Sequence, residues 1–222
     1  LVLSKNIDLK ALLAYGKQKN VGIILWSSWF AITKNTESLM KNYAAQGVKG
    51  FKIDFMDRDD AKMVTSLYEI AKIAADNHLI LDYHGMYKPT GIQKTYPNIL
   101  NFEGVKGLEN SKWAVSDDVP AYDCTIPFIR MMAGPMDYTP GAMRNATKAG
   151  YKPSSSNPES QGTRCHQLAL FTIFEAPLQM LADSPTAYMK EQECTDFIAQ
   201  IPTTFDETIA LDGSVGEYVS IA

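Results

Sequence analysis

The stretch GVKGFKIDFMDRDD, residues 47–60, reads as a buried strand that nonetheless carries Lys52 and Asp54. Side chains alternate along a strand, so Phe51, Ile53 and Phe55 are expected on one face and Lys52 with Asp54 on the other. Burying a lysine and an aspartate costs several kcal/mol unless they pair or face a polar cavity. Two readings follow from the spacing, a structural Lys–Asp pair and a catalytic carboxylate, and spacing alone leaves both open.

Outward from this strand the chain alternates helix and strand. Upstream, NIDLKALLAYGKQKN has helical spacing with Asn6 or Asp8 as cap, VGIILW is a short strand, and NTESLMKNYAAQG is a helix ended by Gly47. Downstream come the helix DDAKMVTSLYEIAKIAADNH, the strand LILDYHG, a short helix TGIQKTYP and the strand ILNFEG. Past residue 110, TIPFIRMMA reads as a helix and GPMDYTPG as a short strand, followed by the polar loop TKAGYKPSSSNPESQG. TRCHQLALFTIFE reads as a helix, PLQMLAD as a strand, and PTAYMKEQECTDFIAQI as a last helix.

Repeated strand–helix units predict an α/β fold with a parallel sheet. Polar residues gather at successive strand ends: Trp26, Lys52 and Asp54, Asp82 and His84, Asn101 and Glu103, Asp137, and Asp183. A barrel site collects residues from many strand ends, whereas an open sheet concentrates them at one switch point, so a (β/α)8 TIM barrel is expected. A whole barrel takes about 250 residues. Residues 1–201 are therefore read as the third to eighth strands of a partial barrel, without the first two. Residues 202–222 change texture, with a hairpin expected to turn at Asp212-Gly213, and are read as the start of an all-β domain.

The 222 residues are 45% hydrophobic, with net charge −4 and pI near 5.4, which argues against a nucleic-acid surface. There is no glycine-rich phosphate loop and no apolar run approaching the ~20 residues of a membrane helix. The opening Leu-Val-Leu-Ser-Lys has neither an initiator Met nor a signal pattern, so a processed or truncated start is expected. Cys124, Cys165 and Cys194 have no metal spacing and are expected as buried, unpaired thiols.

Asp54 leads the candidates for chemistry. Asp82 and His84 share a face on the next strand, which gives His84 weight as a substrate contact beside an acid. Glu103 ends a strand and Glu109 follows in a glycine-containing loop, a pair suited to a surface, a hard cation or a general acid. With Asp54 they make a carboxylate set across a barrel mouth, as glycoside hydrolysis requires. Trp26 and Trp29 are candidates for stacking on a sugar or for the core.

The motifs GVKGFKIDFMDRDD, LDYHGMYKPTG, NFEGVKGLE, MMAGPMDYTPG and LQMLADSP resemble glycoside hydrolase family 97 across nearly the whole chain. The resemblance implies α-glycosidases with a (β/α)8 barrel between β-rich domains, a Ca2+ requirement and a periplasmic location. It implies an N-terminal β-sandwich and first barrel strands outside this chain. Within the retaining α-galactosidase branch it makes Asp54, at the end of the fourth barrel strand, the nucleophile. Inverting members lack that carboxylate and place a base on the following strand, where this sequence has His84. Glu109 matches the acid/base, and Glu103, with Glu109, the metal ligands. Lys52 is expected to keep Asp54 ionised, and Lys52, Asp82, His84 and Trp26 to contact an oligosaccharide ending in α-galactose. The other expectations are an inverting α-glucosidase or β-L-arabinopyranosidase of the same family and, from a different class, a non-catalytic carbohydrate-binding or incomplete barrel fragment.

Overall fold

The computed structural model describes residues 3–114 and 118–222. Contacts divide them into two compact units, residues 1–104 and 105–222.

The first unit is regular. Helix α1 (Leu9–Gln18) starts where the Asp8 carboxylate accepts from the Ala11 N–H at 3.0 Å, satisfying an N–H that has no partner inside the helix. Strand β1 (Ile24–Ser28) leads into a short helix α2 (Trp29–Thr33) that the sequence did not announce. Helix α3 (Thr36–Gln46) stops at Gly47, whose φ of 103° is a left-handed cap. Strand β2 (Gly50–Asp54) follows, then α4 (Ala61–Asp76), capped by Asp60 accepting from the Lys62 and Met63 N–H groups. Strand β3 (Ile80–Tyr83), helix α5 (Ile92–Thr95) and strand β4 (Ile99–Phe102) complete the unit.

The four strands form one parallel sheet in chain order, β1-β2-β3-β4. Its register puts Ile53 beside Tyr83 and Tyr83 beside Phe102, all fully buried. They join Phe51, Leu81 and the α4 residues Met63, Leu67 and Ile70 in one hydrophobic cluster. The Tyr83 hydroxyl reaches the Leu67 carbonyl of α4 at 2.8 Å, which satisfies the polar tip of a buried tyrosine. The opposite face carries the row Trp26, Lys52, Asp82, Asn101, one residue from each strand at matched register.

Phe55 departs from the expected alternation. The strand ends at Asp54, and Phe55 takes a φ of +65° that leaves its side chain 56% exposed rather than stacked under Ile53.

The second unit is irregular. The stretch TIPFIRMMA forms two 3-10 turns, Ile126–Phe128 and Met131–Ala133, rather than one helix; Pro127 supplies no N–H and the run ends at Gly134, φ 118°. GPMDYTPG and PLQMLAD were expected as strands and form no ladder. Gly134, Thr139 and Gly141 have positive φ, and Pro135, Pro140 and Pro177 offer no donors. Those two segments touch through Ala182 N–H to Pro140 O at 3.0 Å, and Met136 N–H bonds Glu175 O, just ahead of the second, at 2.8 Å. A helix α6 (Val119–Asp123) precedes them, and the Ser/Pro-rich loop contributes two short bridging strands, β5 (Asn145–Ala146) and β6 (Ser160–Gln161). Helix α7 (Arg164–Ile173) forms as expected, and the last helix is split at Glu191 into α8 (Pro185–Lys190) and α9 (Gln192–Gln200).

The hairpin is present as β7 (Ala210–Ser214) and β8 (Tyr218–Ile221), but it turns at residues 215–217 with Gly216 at φ 80°. Asp212 and Gly213 lie within β7, where a Cβ on Gly213 would lie 2.7 Å from the Phe128 ring. The cysteines are unpaired, but Cys165 is exposed and the other two only half-buried, because α7 turns Cys165 away from its Gln167–Leu170–Phe171 buried stripe. Among the described residues no helix is long and apolar enough to cross a membrane.

Candidate active site

Parallel strands bring their carboxyl ends to one edge of the sheet, and the first unit places its polar residues there. Asp54 is the last residue of β2, His84 follows β3, and Glu103 follows β4. Both oxygens of the Asp54 carboxylate are held. Oδ1 accepts from the Phe55 N–H at 2.7 Å and Oδ2 from the Trp26 indole N–H at 3.0 Å. The left-handed backbone at Phe55 therefore has a local use, since it ends the strand and aims an N–H at the carboxylate. Gly85 packs against this arrangement at φ 55°, where a Cβ would lie 2.7 Å from Phe55 N and 2.8 Å from Asp54 Oδ1. Only glycine fits.

His84 lies between the two acids. Its Nδ1 is 3.3 Å from Glu103 Oε1 and 3.8 Å from Asp54 Oδ2. The other oxygen of Glu103 accepts from the Gly85 N–H at 2.6 Å. The three side chains remain between 11% and 16% exposed, enough for a ligand to reach their tips.

Lys52 was expected to act on Asp54. It forms an ion pair with Asp82 at 3.3 Å instead. Register explains this: Lys52 is level with Asp82 on the neighbouring strand, whereas Asp54 is two residues, about 6–7 Å, further along its own strand. Asp82 is fully buried, so the pair compensates an acid that water cannot reach. Trp26 is 54% exposed and packs edge-on against Phe55 at 5.6 Å between ring centroids. Trp29 instead packs against the hydrophobic cluster.

Glu109 is in the second unit, exposed on a 3-10 turn (Leu108–Lys112). Asp137 and Asp183 also lie there. Asp137 accepts from the Thr139 hydroxyl, and Asp183 accepts from the Met143 and Ser184 N–H groups. Sequence reasoning missed Phe55, whose alternation pointed to the core, and Gly85. The only trace of Gly85 was a glycine directly after His84 at a strand end.

The side chains Asp54, His84 and Glu103 converge closely enough to share a cation. Calcium takes six to eight oxygen ligands. Two carboxylates and an imidazole nitrogen do not make that set, so this group by itself does not fit calcium. What it can do is present one oriented carboxylate, with a titratable imidazole and a second acid beside it, to a ligand at the sheet edge.

Comparison with known proteins gives a consistent set of relatives. Residues 2–105 match the family model described as glycoside hydrolase 97. Over 219 residues, 98% of this chain and 33% of the relative, the sequence is 57% identical to a retaining alpha-galactosidase of Bacteroides thetaiotaomicron. A glycoside hydrolase family 97 enzyme from Pseudoalteromonas sp. strain K8, solved in complex with acarbose, superposes with a TM-score of 0.84 at 28% identity, covering 98% of this chain and 36% of that one. The crystal structure of a beta-arabinopyranosidase gives 0.82 at 30% identity, covering 96% and 36%. The chain spans about a third of the length of each.

Proposed function

We propose that the chain is part of a glycoside hydrolase family 97 enzyme, as the match over residues 2–105 and the 57% identity to a retaining alpha-galactosidase support, and that it carries the catalytic centre of a retaining α-galactosidase, with Asp54 as nucleophile and Glu109 as acid/base. The observation that carries this reading is the Asp54 carboxylate, fixed through both oxygens at the end of β2 and open to a ligand. A nucleophile must be held in an attack geometry before substrate arrives. The 57% identity to a retaining alpha-galactosidase supports the same assignment.

In the first step an Asp54 oxygen bonds to the anomeric carbon as the bond to the leaving oxygen breaks. Glu109 gives its proton to that oxygen. In the second, the Glu109 carboxylate takes a proton from water, the water oxygen bonds to the anomeric carbon, and the Asp54 ester bond breaks. Trp26 and Phe55 present aromatic surface beside Asp54 for the apolar face of the sugar. In this reading the parallel sheet is a run of (β/α)8 barrel strands with Asp54 on the fourth, and the hairpin from Ala210 begins the C-terminal β region. Calcium rests on the resemblance alone; an unchanged calcium response in Glu103→Ala enzyme would remove Glu103 as a ligand.

Asp54→Ala in the full-length enzyme should lower turnover of aryl α-galactosides by about 10^4-fold or more, in the range of lost nucleophiles. Azide should restore it, with β-galactosyl azide as product. Unimpaired turnover removes the assignment. The first anomer released, followed by NMR, should be α-galactose, and β-galactose first would refute double displacement. A second reading, a β-L-arabinopyranosidase, is favoured by the likeness to the solved beta-arabinopyranosidase, since that sugar shares the ring stereochemistry of galactose. Relative kcat/KM on the two aryl glycosides separates them.

A further inference from the structure

Asp123 is a buried carboxylate that the proposed reaction does not use. Its side chain is fully excluded from solvent. Oδ1 accepts from the Tyr138 hydroxyl at 2.6 Å, and Oδ2 lies 2.9 Å from His166 Nε2. Burial drives its proton affinity up, and the bonds to His166 and Tyr138 oppose that shift. A buried acid needs such compensation, and here the compensation fixes one residue in particular, Tyr138, whose ring also packs on Phe174 at 4.8 Å.

Tyr138 in turn touches the turn that carries Glu109. Its carbonyl accepts from the Leu108 N–H at 3.0 Å. On either side of that bond, the Tyr122 hydroxyl accepts from the Lys106 N–H at 3.1 Å and the Tyr151 hydroxyl donates to the Ser111 carbonyl. Leu108 seats the start of the turn in the hydrophobic cluster that includes Tyr138, and a cavity of about 120 Å³ lies beside the rest, lined by Leu108, Ser111, Tyr122 and Tyr138 among others. Beside that cavity, the exposed Glu109 side chain depends on the tethers of its turn.

We infer that Tyr122, Tyr138 and Tyr151, with Asp123 and His166 locking Tyr138, are positioning residues that set where the Glu109 carboxyl stands. The inference rests on the acid/base reading of Glu109 and goes beyond it by naming what aims that group. Proton donation to a leaving oxygen is sensitive to placement, and a displacement of about 1 Å costs on the order of 100-fold. Nucleophilic attack by Asp54 on a substrate with a good leaving group needs no such proton.

The test uses the full-length enzyme with the double variant Tyr122→Phe/Tyr151→Phe and, separately, Asp123→Asn. Each is assayed on an α-galactosyl disaccharide and on 4-nitrophenyl α-galactoside. The expected result is a fall in kcat/KM, which reports the first step, of about tenfold or more on the disaccharide, with kcat/KM on the nitrophenyl substrate within about twofold of wild type; kcat on the nitrophenyl substrate is not the readout, because Glu109 activates the water for both substrates. Equal losses on both substrates, or none on either, overturn the inference. If Asp123→Asn fails to fold, the tyrosine double variant, which removes only two hydroxyls, decides alone. Glu109→Gln is run in parallel. If it discriminates between the substrates and the tethering variants do not, the clamp fails while the acid/base reading stands. If Glu109→Gln does not discriminate, both fall.

Discussion

The two units hold together by different means. In residues 1–104 the backbone bonds mainly to itself in four parallel strands and the helices between them, and side chains pack or add local caps and braces such as Tyr83 to Leu67. In residues 105–222 side chains bond the backbone. The Arg130 guanidinium donates to the Gly134 and Pro135 carbonyls, Arg164 to Met143 O, and the Tyr188 hydroxyl to Gly141 O. Gln167, fully buried, accepts from the Gly141 and Ala142 N–H groups. The first unit fixes a carboxylate by geometry of the sheet, whereas the second fixes one by a scaffold of individual polar contacts, each a separate point of failure.

The largest effect that would break this contrast lies in the first unit. Gly85→Ala puts a methyl group against Asp54 Oδ1 and Phe55 N. Turnover by the full-length enzyme should fall about 100-fold, as for an approximately 1 Å misplacement of a reacting group. Circular dichroism should stay unchanged. Wild-type activity would show that the Asp54 position tolerates movement and that the sheet does not fix it.

Stability should show the contrast next. Gln167→Leu removes the acceptor of two buried N–H groups, at a cost of about 1–3 kcal/mol for each group left unsatisfied. Thr65→Ala, on the exposed face of α4, should change stability by less than about 0.5 kcal/mol. Denaturant midpoints measure both, and equal shifts would erase the distinction.

The smallest effect is in pH dependence. Burial raises the Asp123 carboxyl above its ordinary range, so between the ordinary and the raised value the folded chain holds more protons than the unfolded one. Stability contributed by this group is therefore fullest at acid pH and declines as pH rises through the folded-state value. The stability of wild type relative to Asp123→Asn should fall as pH rises above the ordinary carboxylate range. A rise would mean that the His166 bond outweighs desolvation.

Legibility followed the same division. Gly47 and, as one of two candidates with Asn6, Asp8 announced helix ends because capping is local chemistry, and the polar alternation of β2 announced Lys52 and Asp54 because strand periodicity is fixed by the backbone. The partner of Lys52 was not legible, since it depends on the register between β2 and β3. Phe55 was misread because the strand stops one residue earlier than its hydrophobic pattern. In the second unit the pattern failed for GPMDYTPG and PLQMLAD, where prolines and left-handed residues take donors out of any ladder and buried side chains supply the replacement. Tyr122, Tyr138 and Tyr151 are far apart in sequence, and nothing local marks them as tethers of one turn.

Phe55 has a consequence for how this protein can be altered. A bulky residue held at φ +65° carries backbone strain on the order of 1–3 kcal/mol, and glycine would relieve it. Glycine would also delete the ring that meets Trp26 beside Asp54. Selection or engineering for heat resistance and selection for turnover therefore pull this one position in opposite directions. A library sorted on melting temperature alone should enrich Phe55→Gly and, in doing so, discard the better catalysts.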